Sequence, residues 1–171
     1  MPSPSSRPAA ATGPSRVPAL YSPAERARRD ASPWTTVQGV LAPVQFLVFL
    51  VSLALVLRFL STGQGLEAAT VSVVVKTLVL YTIMVTGSIW EKDVYGVWLF
   101  APAFYWEDVF SMLVLALHTA YLVSLFTNAL DARQQMLLAL AAYATYVVNA
   151  AQFIWKLRQA RLQAAHLGVT T

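Results

Sequence analysis

Residues 90–118 read WEKDVYGVWLFAPAFYWEDVFSMLVLALH. Four of the chain's eight acidic residues, Glu91, Asp93, Glu107 and Asp108, fall in this segment. They sit among Trp90, Trp98, Phe100, Phe104, Tyr105 and Trp106, and on either side the sequence turns into long apolar runs. Trp and Tyr collect at the headgroup level of a bilayer, while charge is expelled from its hydrocarbon. The stretch therefore reads as a connection between two membrane spans, and its costly carboxylates make it the candidate site.

Composition agrees. Of the 171 residues, 57% are hydrophobic and 12% charged, whereas a soluble domain is about 45–50% apolar and about 25% charged. The chain reads as an integral membrane protein with room for one domain. It has no cysteine, which excludes disulfides, iron–sulfur clusters, thiolate zinc sites and cysteine nucleophiles. The net charge of +4 is modest. Its arginines gather toward the chain ends, which suits orientation in a bilayer better than binding of nucleic acid. A Gly-rich phosphate loop, a paired-histidine zinc signature and a Gly-x-Ser-x-Gly elbow are all missing from the sequence. The expectation is no cofactor and no metal of the protein's own, which leaves cofactor-free acid–base chemistry or no reaction.

The expected architecture is an all-α membrane bundle of four transmembrane helices with both termini cytoplasmic. Residues 1–20 read as a disordered, Pro- and Ser-rich tail rather than a secretory signal. Residues 21–35 form a short basic interfacial helix. Ser22-Pro23-Ala24-Glu25 is a start signal, and Arg26, Arg28 and Arg29 suit an anionic leaflet surface. Ser32-Pro33-Trp34 repeats the start signal. Residues 36–158 hold the four spans, at roughly 36–60, 67–90, 104–128 and 134–157, each long enough for a bilayer core of about 30 Å. Pro43 should kink the first span. Gln38, Gln45 and Ser52, spaced by seven, share an inward face. Asp131 to Gln134 forms a capping box for the fourth span, whose polar line is Tyr146, Asn149 and Gln152. Residues 159–171 are a cytoplasmic tail. Basic tails at both ends put the acidic-aromatic connection on the cytoplasmic side.

Glu107 and His118 are three turns apart in one helix, separated by ~16 Å along its axis with Ser111 between them. The pattern suggests an inward polar column with Glu107, Asp108 and Glu91 at its mouth. Burial beside aromatic rings and other carboxylates turns a carboxyl into a general acid. The plain alternative is charges at helix ends, with Glu107 and Asp108 complementing the helix dipole. Lys76, near mid-depth, needs a partner or a water path. His118 reads as a ligand to the metal of a macrocycle, as a proton carrier, or as a histidine bonded to a neighbouring helix. A two-histidine haem site would need a second histidine within the membrane, and the other one, His166, lies in the tail. Trp90, Tyr105 and Trp106 suit an interfacial belt or a flat wall for a planar ligand.

Several long runs carry a resemblance. Arg29-Asp30-Ala31-Ser32-Pro33-Trp34, residues 74–81 (VVKTLVLY), Gly87 to Lys92 (GSIWEK) and Leu99 to Met112 (LFAPAFYWEDVFSM) resemble the 3-vinyl bacteriochlorophyllide hydratase family of phototrophic bacteria. The likeness covers about residues 21–161. It implies a multi-pass enzyme of the bacterial inner (intracytoplasmic) membrane that adds water to the C3-vinyl group of a chlorophyllide or bacteriochlorophyllide, giving a 1-hydroxyethyl product. It implies the pigment and the lipid bilayer as partners, with other enzymes of bacteriochlorophyll synthesis beside it. Markovnikov hydration needs a proton on the terminal vinyl carbon and a base for the incoming water, which carboxyls supply. On that reading Glu107 gives the proton and Asp108 or Glu91 holds the water. Lys76 or Lys92 meets the propionate, His118 is a candidate axial ligand to the substrate's magnesium, and Trp106, Tyr105 and Trp90 line the ring. The rival readings are a non-catalytic pigment-binding or assembly protein and a small proton-coupled transporter built on Lys76 and His118.

Overall fold

The computed structural model describes residues 20–166, so the tail expected over residues 1–20 lies almost wholly outside the described residues. The described residues form five helices: α1 (Pro23–Ala31), α2 (Pro33–Thr62), α3 (Leu66–Tyr95), α4 (Tyr105–Thr127) and α5 (Ala132–His166). Helices α2 to α5 are each long and apolar enough to cross a membrane. A helix satisfies its backbone polar groups internally, as hydrocarbon requires. The expected all-helical class with four spans is what the structure shows. α5 continues well past the expected end near residue 158, and no Gly or Pro interrupts it before Gly168.

Local signals set most of the helix ends. Ser22 and Glu25 form a reciprocal capping box at the start of α1, with bonds of 2.7 and 3.3 Å. Asp131 and Gln134 repeat it before α5, at 3.1 and 2.9 Å. α3 stops at Gly96, whose φ of 81° is left-handed and whose N–H bonds the Lys92 carbonyl at 3.0 Å. Such a residue carries no Cβ penalty there. Ser32 departs from expectation. It precedes α2, but its hydroxyl donates to Asp93 at 2.8 Å instead of capping the helix. α2 runs through Pro43 as one helix of 30 residues.

α2 packs along α3 and α4 along α5; the two pairs meet chiefly through α2–α5 and α3–α4. α1 lies across the end of α3, where Arg28 Nε donates to the Val94 carbonyl at 2.7 Å and Tyr21 stacks on Tyr95 with centroids 6.0 Å apart. The basic segment expected on the lipid surface is thus also fastened to the bundle. The start of α2, the α3–α4 connection and the end of α5 gather at one end of the molecule, as contacts between Thr35 and Trp90 and between Glu107 and Lys156 show.

The bundle is apolar outside and polar within. Leu47, Val51, Val85 and Phe126 face outward, whereas the buried face of α4 is Glu107, Asp108, Ser111, Val114, His118, Tyr121 and Ser124. Gln45 and Ser52 are buried too, and Gln38 is half-buried, its amide donating to Thr86 at 2.7 Å. Between these polar groups sits an aromatic layer: Phe49 meets Tyr143 edge-on at 5.4 Å and Tyr146 at 4.9 Å. Ser52 bonds both Tyr143 (2.6 Å) and Ser72 (2.7 Å), tying α2, α3 and α5 together. Apolar side chains gain nothing by leaving lipid for a lipid-like core, so such cross-helix hydrogen bonds and close packing hold the bundle.

Candidate active site

The site is built on the last turn of α3, the loop 96–104 and the first turn of α4. Gly96 reverses the chain, and the loop folds back so that its amides point at carboxyls on both helices. Phe100 N–H donates to Asp108 Oδ2 at 2.8 Å, and Ala101 N–H donates to Glu91 Oε2 at 3.2 Å. Phe100 adopts φ 60°, a left-handed conformation unusual for a bulky residue. Strain of this kind persists where surrounding contacts impose it, and here the bond to Asp108 is one of them.

Glu91 and Asp108 are 5% and 4% exposed, and the adjacent amides of Phe100 and Ala101 hold their carboxyls side by side. Two buried carboxyls in this arrangement can act as acid and base toward one substrate. Glu107 is held differently. Lys156, from α5, donates to its Oε2 at 2.6 Å, and the Glu107 side chain is 9% exposed. Lys156 also lies 4.9 Å from the centre of the Phe104 ring. Phe104 is a wedge at the centre of this end, meeting Trp90 (5.8 Å), Tyr95 (5.9 Å) and Phe153 (5.9 Å).

The residues singled out from sequence separate into three groups. Glu91, Glu107 and Asp108 come together at one end, as expected. Tyr105 and Trp106 stand on the outer surface, where Tyr105 meets Phe100 at 5.8 Å and Trp106 at 5.5 Å, while Trp90 turns inward and donates its indole N–H to Thr35 at 2.9 Å. Lys76 and His118 are fully buried far from the carboxyls. Lys76 is fifteen residues from Glu91, about 22 Å along α3, and His118 ten from Asp108, about 15 Å along α4. Among the described residues no cluster of His, Cys, Asp and Glu could hold a metal ion. Sequence reasoning missed Lys156 as the partner of Glu107, and the two loop amides. A lone lysine at the end of the last apolar run was the one available signal for the first. Nothing in the sequence marks the second.

Residues 21–159 match the family described as 2-vinyl bacteriochlorophyllide hydratase. A protein of that name from Rhodobacter capsulatus is 71% identical over 147 residues, covering 86% of this chain and 85% of the relative. Another of the same name, from Cereibacter sphaeroides, is 66% identical over 143 residues, 84% of this chain and 89% of the relative. No solved structure matches. Likeness of this extent runs through every spanning helix and the loop between α3 and α4, and the chain belongs to the 2-vinyl bacteriochlorophyllide hydratase family.

Proposed function

We propose that this chain is a hydro-lyase that adds water to the vinyl group of a chlorophyllide or 3-vinyl bacteriochlorophyllide at the Glu91–Asp108 pair, giving the 3-(1-hydroxyethyl) pigment. Family membership carries the hydratase activity. The observation that carries the site is the buried carboxyl pair under loop 96–104.

The pair supplies both halves of a hydration. Asp108 accepts the shorter amide bond, 2.8 Å against 3.2 Å for Glu91, which favours charge on Asp108 and leaves the proton with Glu91. Glu91 protonates the terminal vinyl carbon, and the electron pair of the double bond forms the new C–H bond. The cation left on the adjacent carbon is delocalised into the macrocycle. Water attacks that carbon while Asp108 takes its proton, and transfer between the two carboxyls restores Glu91. The sum is one water added, with no redox change. Glu107, the donor expected from sequence, is engaged by Lys156 at 2.6 Å, which supports giving the acid–base roles to the neighbouring Glu91–Asp108 pair.

Phe100, Tyr105 and Trp106 form a run of exposed, touching rings beside the pair, which supports docking of a flat ring from the membrane interface. Counting bonds of roughly 1.4–1.5 Å, the vinyl terminus lies about 7 Å from the macrocycle centre. A ring whose vinyl group meets Asp108 does not place its magnesium at His118, about 15 Å deeper. Magnesium also prefers oxygen ligands. Lys76 and His118 are accordingly assigned outside the pigment site. The basic residues near both chain ends support the orientation with this end cytoplasmic and residence in the bacterial inner membrane, close to enzymes that supply and consume the pigment.

The test is incubation of membranes carrying the protein with the vinyl pigment, followed by chromatography. Wild-type protein should yield the hydroxyethyl product. Glu91→Gln and Asp108→Asn should lower turnover by roughly 10²–10⁴-fold, the usual weight of general acid–base catalysis. Near wild-type turnover by both variants would remove the pair from the mechanism.

A further inference from the structure

We infer that the middle of the bundle holds a chain of ordered waters that leads to the carboxyl pair and delivers the water consumed in hydration. The delivery role rests on the site proposed above.

Each of the four spanning helices contributes at least one buried side chain whose polar atom has no protein partner, among them Gln45 Oε1 from α2, Lys76 Nζ from α3, His118 Nε2 from α4 and Asn149 Oδ1 from α5. None of the four is more than 9% exposed. They surround one aromatic layer. Lys76 Nζ is 3.9 Å from the centre of the Tyr146 ring, and the His118 ring is 5.8 Å from that of Tyr143. Phe49, one turn from Gln45, touches both tyrosines, and Asn149 lies one turn beyond Tyr146. The chemistry of the set is complementary. His118 Nδ1 is committed to the Val114 carbonyl at 2.8 Å, so it bears the hydrogen and Nε2 offers a lone pair. Gln45 and Asn149 offer carbonyl oxygens, and Lys76 offers several hydrogens. The set offers three acceptors and one multiple donor, none bonded to another, and bridging waters with two to four partners each satisfy such a pattern.

The polar atoms continue toward the site. Asn149 Nδ2 donates to Ser111 Oγ at 2.8 Å, and Ser111 lies one turn from Asp108 and Glu107. Gln152, the next residue on the same line of α5, also carries an unpartnered Oε1, one turn before Lys156. A flat apolar pigment lying over the loop seals the carboxyls from water above, so the reacting water has to come from below.

Two measurements on the full chain in lipid nanodiscs test this. The first is radiolytic hydroxyl-radical labelling read by mass spectrometry. Tyr143 and Tyr146, buried from solvent, should be labelled because bound water surrounds them, and Gln45→Leu with Asn149→Leu should lower that labelling several-fold. Unlabelled tyrosines in the wild-type protein, or labelling indifferent to the substitutions, would overturn the water chain. The second is steady-state kinetics. Asn149→Leu should lower kcat at least tenfold with the pigment KM within twofold, and Asn149→Ser should recover most of the loss. If Asn149→Leu does not fold, Gln152→Leu makes the same test one step nearer the pair. Unchanged kcat, or equal losses in the Leu and Ser variants, would overturn delivery. Labelling does not depend on turnover. Active Glu91 and Asp108 variants would therefore sink the catalytic assignment while leaving the waters standing.

Discussion

Lys156→Met probes the ion pair at the edge of the acidic cluster. The Lys156 ammonium and the Glu107 carboxylate are 2.6 Å apart, with side chains 28% and 9% exposed. Fully exposed pairs are worth about 0.2–1 kcal/mol, whereas removing one partner of a fully buried pair costs about 3–5 kcal/mol. One partner here is buried and the other partly wet, so an intermediate loss of about 2 kcal/mol is expected, arising mainly from the carboxylate left behind. For a chain of this size that corresponds to a melting temperature lower by about 4–8 °C, read by thermal denaturation in one fixed detergent. Glu107→Gln alone leaves a buried ammonium stem over Phe104 and should cost less, because Lys156 can swing into water. The double variant should recover at least ~1 kcal/mol relative to the sum of the singles, the coupling expected of groups in contact. It should also keep turnover within about tenfold of wild type, unlike the general-acid variants. Additive losses would show that the pair does not interact. A double variant as inactive as Glu91→Gln would return Glu107 to the chemistry.

Other perturbations probe other links. Phe100→Ile puts a β-branched residue at φ 60° and should destabilise by about 1–2 kcal/mol, whereas Phe100→Gly should melt at or above the wild-type temperature. Ser52→Ala removes the hydroxyl shared by Tyr143 and Ser72; membrane hydrogen bonds average ≈0.6 kcal/mol, so the melting point should fall by only a few degrees. The Glu25 carboxyl is held below its ordinary value, first by the Ser22 backbone N–H and then by its side chain. Its contribution to α1 is therefore present above the ordinary carboxyl range and is lost as pH falls through the lowered value. Limited proteolysis near Arg26 should accelerate under acid in the wild type, and Ser22→Ala should give faster cleavage at neutral pH.

The helices were legible because their causes are local. Apolar runs of about 20 residues have few other destinations, and the Ser22–Glu25 and Asp131–Gln134 boxes need only four residues each. The inward face of α4 was legible from 3.6-residue periodicity applied to Glu107, Ser111 and His118. What was not legible depended on distant partners. Ser32 looked like a cap, but Asp93, 61 residues away, takes its hydroxyl. Glu107 reads from sequence as a proton donor, and the partner the structure gives it, Lys156, lies 49 residues away. The pairing of Glu91 with Asp108 follows from the way loop 96–104 turns back, and that turn depends on Phe100 accepting a conformation no propensity would assign to it.

The stretch from Trp90 to His118 therefore divides into two chemical environments on one helix face. At Asp108 and Glu91 adjacent loop amides, one to each carboxyl, hold a buried pair beside exposed aromatic rings. At His118 the surroundings are an aromatic layer and uncommitted polar atoms. This division suits the reaction. A cation made by protonating a vinyl group must meet one water molecule and little else, because excess solvent would both weaken the acid's electrostatic environment and compete for its proton. A ring laid over the carboxyls excludes bulk water from above. The polar face of α4, joined through Ser111 to Asn149, gives the pair a separate polar connection to the interior. Bringing His118 up to the pigment would remove that connection, which is why the depth of the histidine is an argument about mechanism as well as about topology.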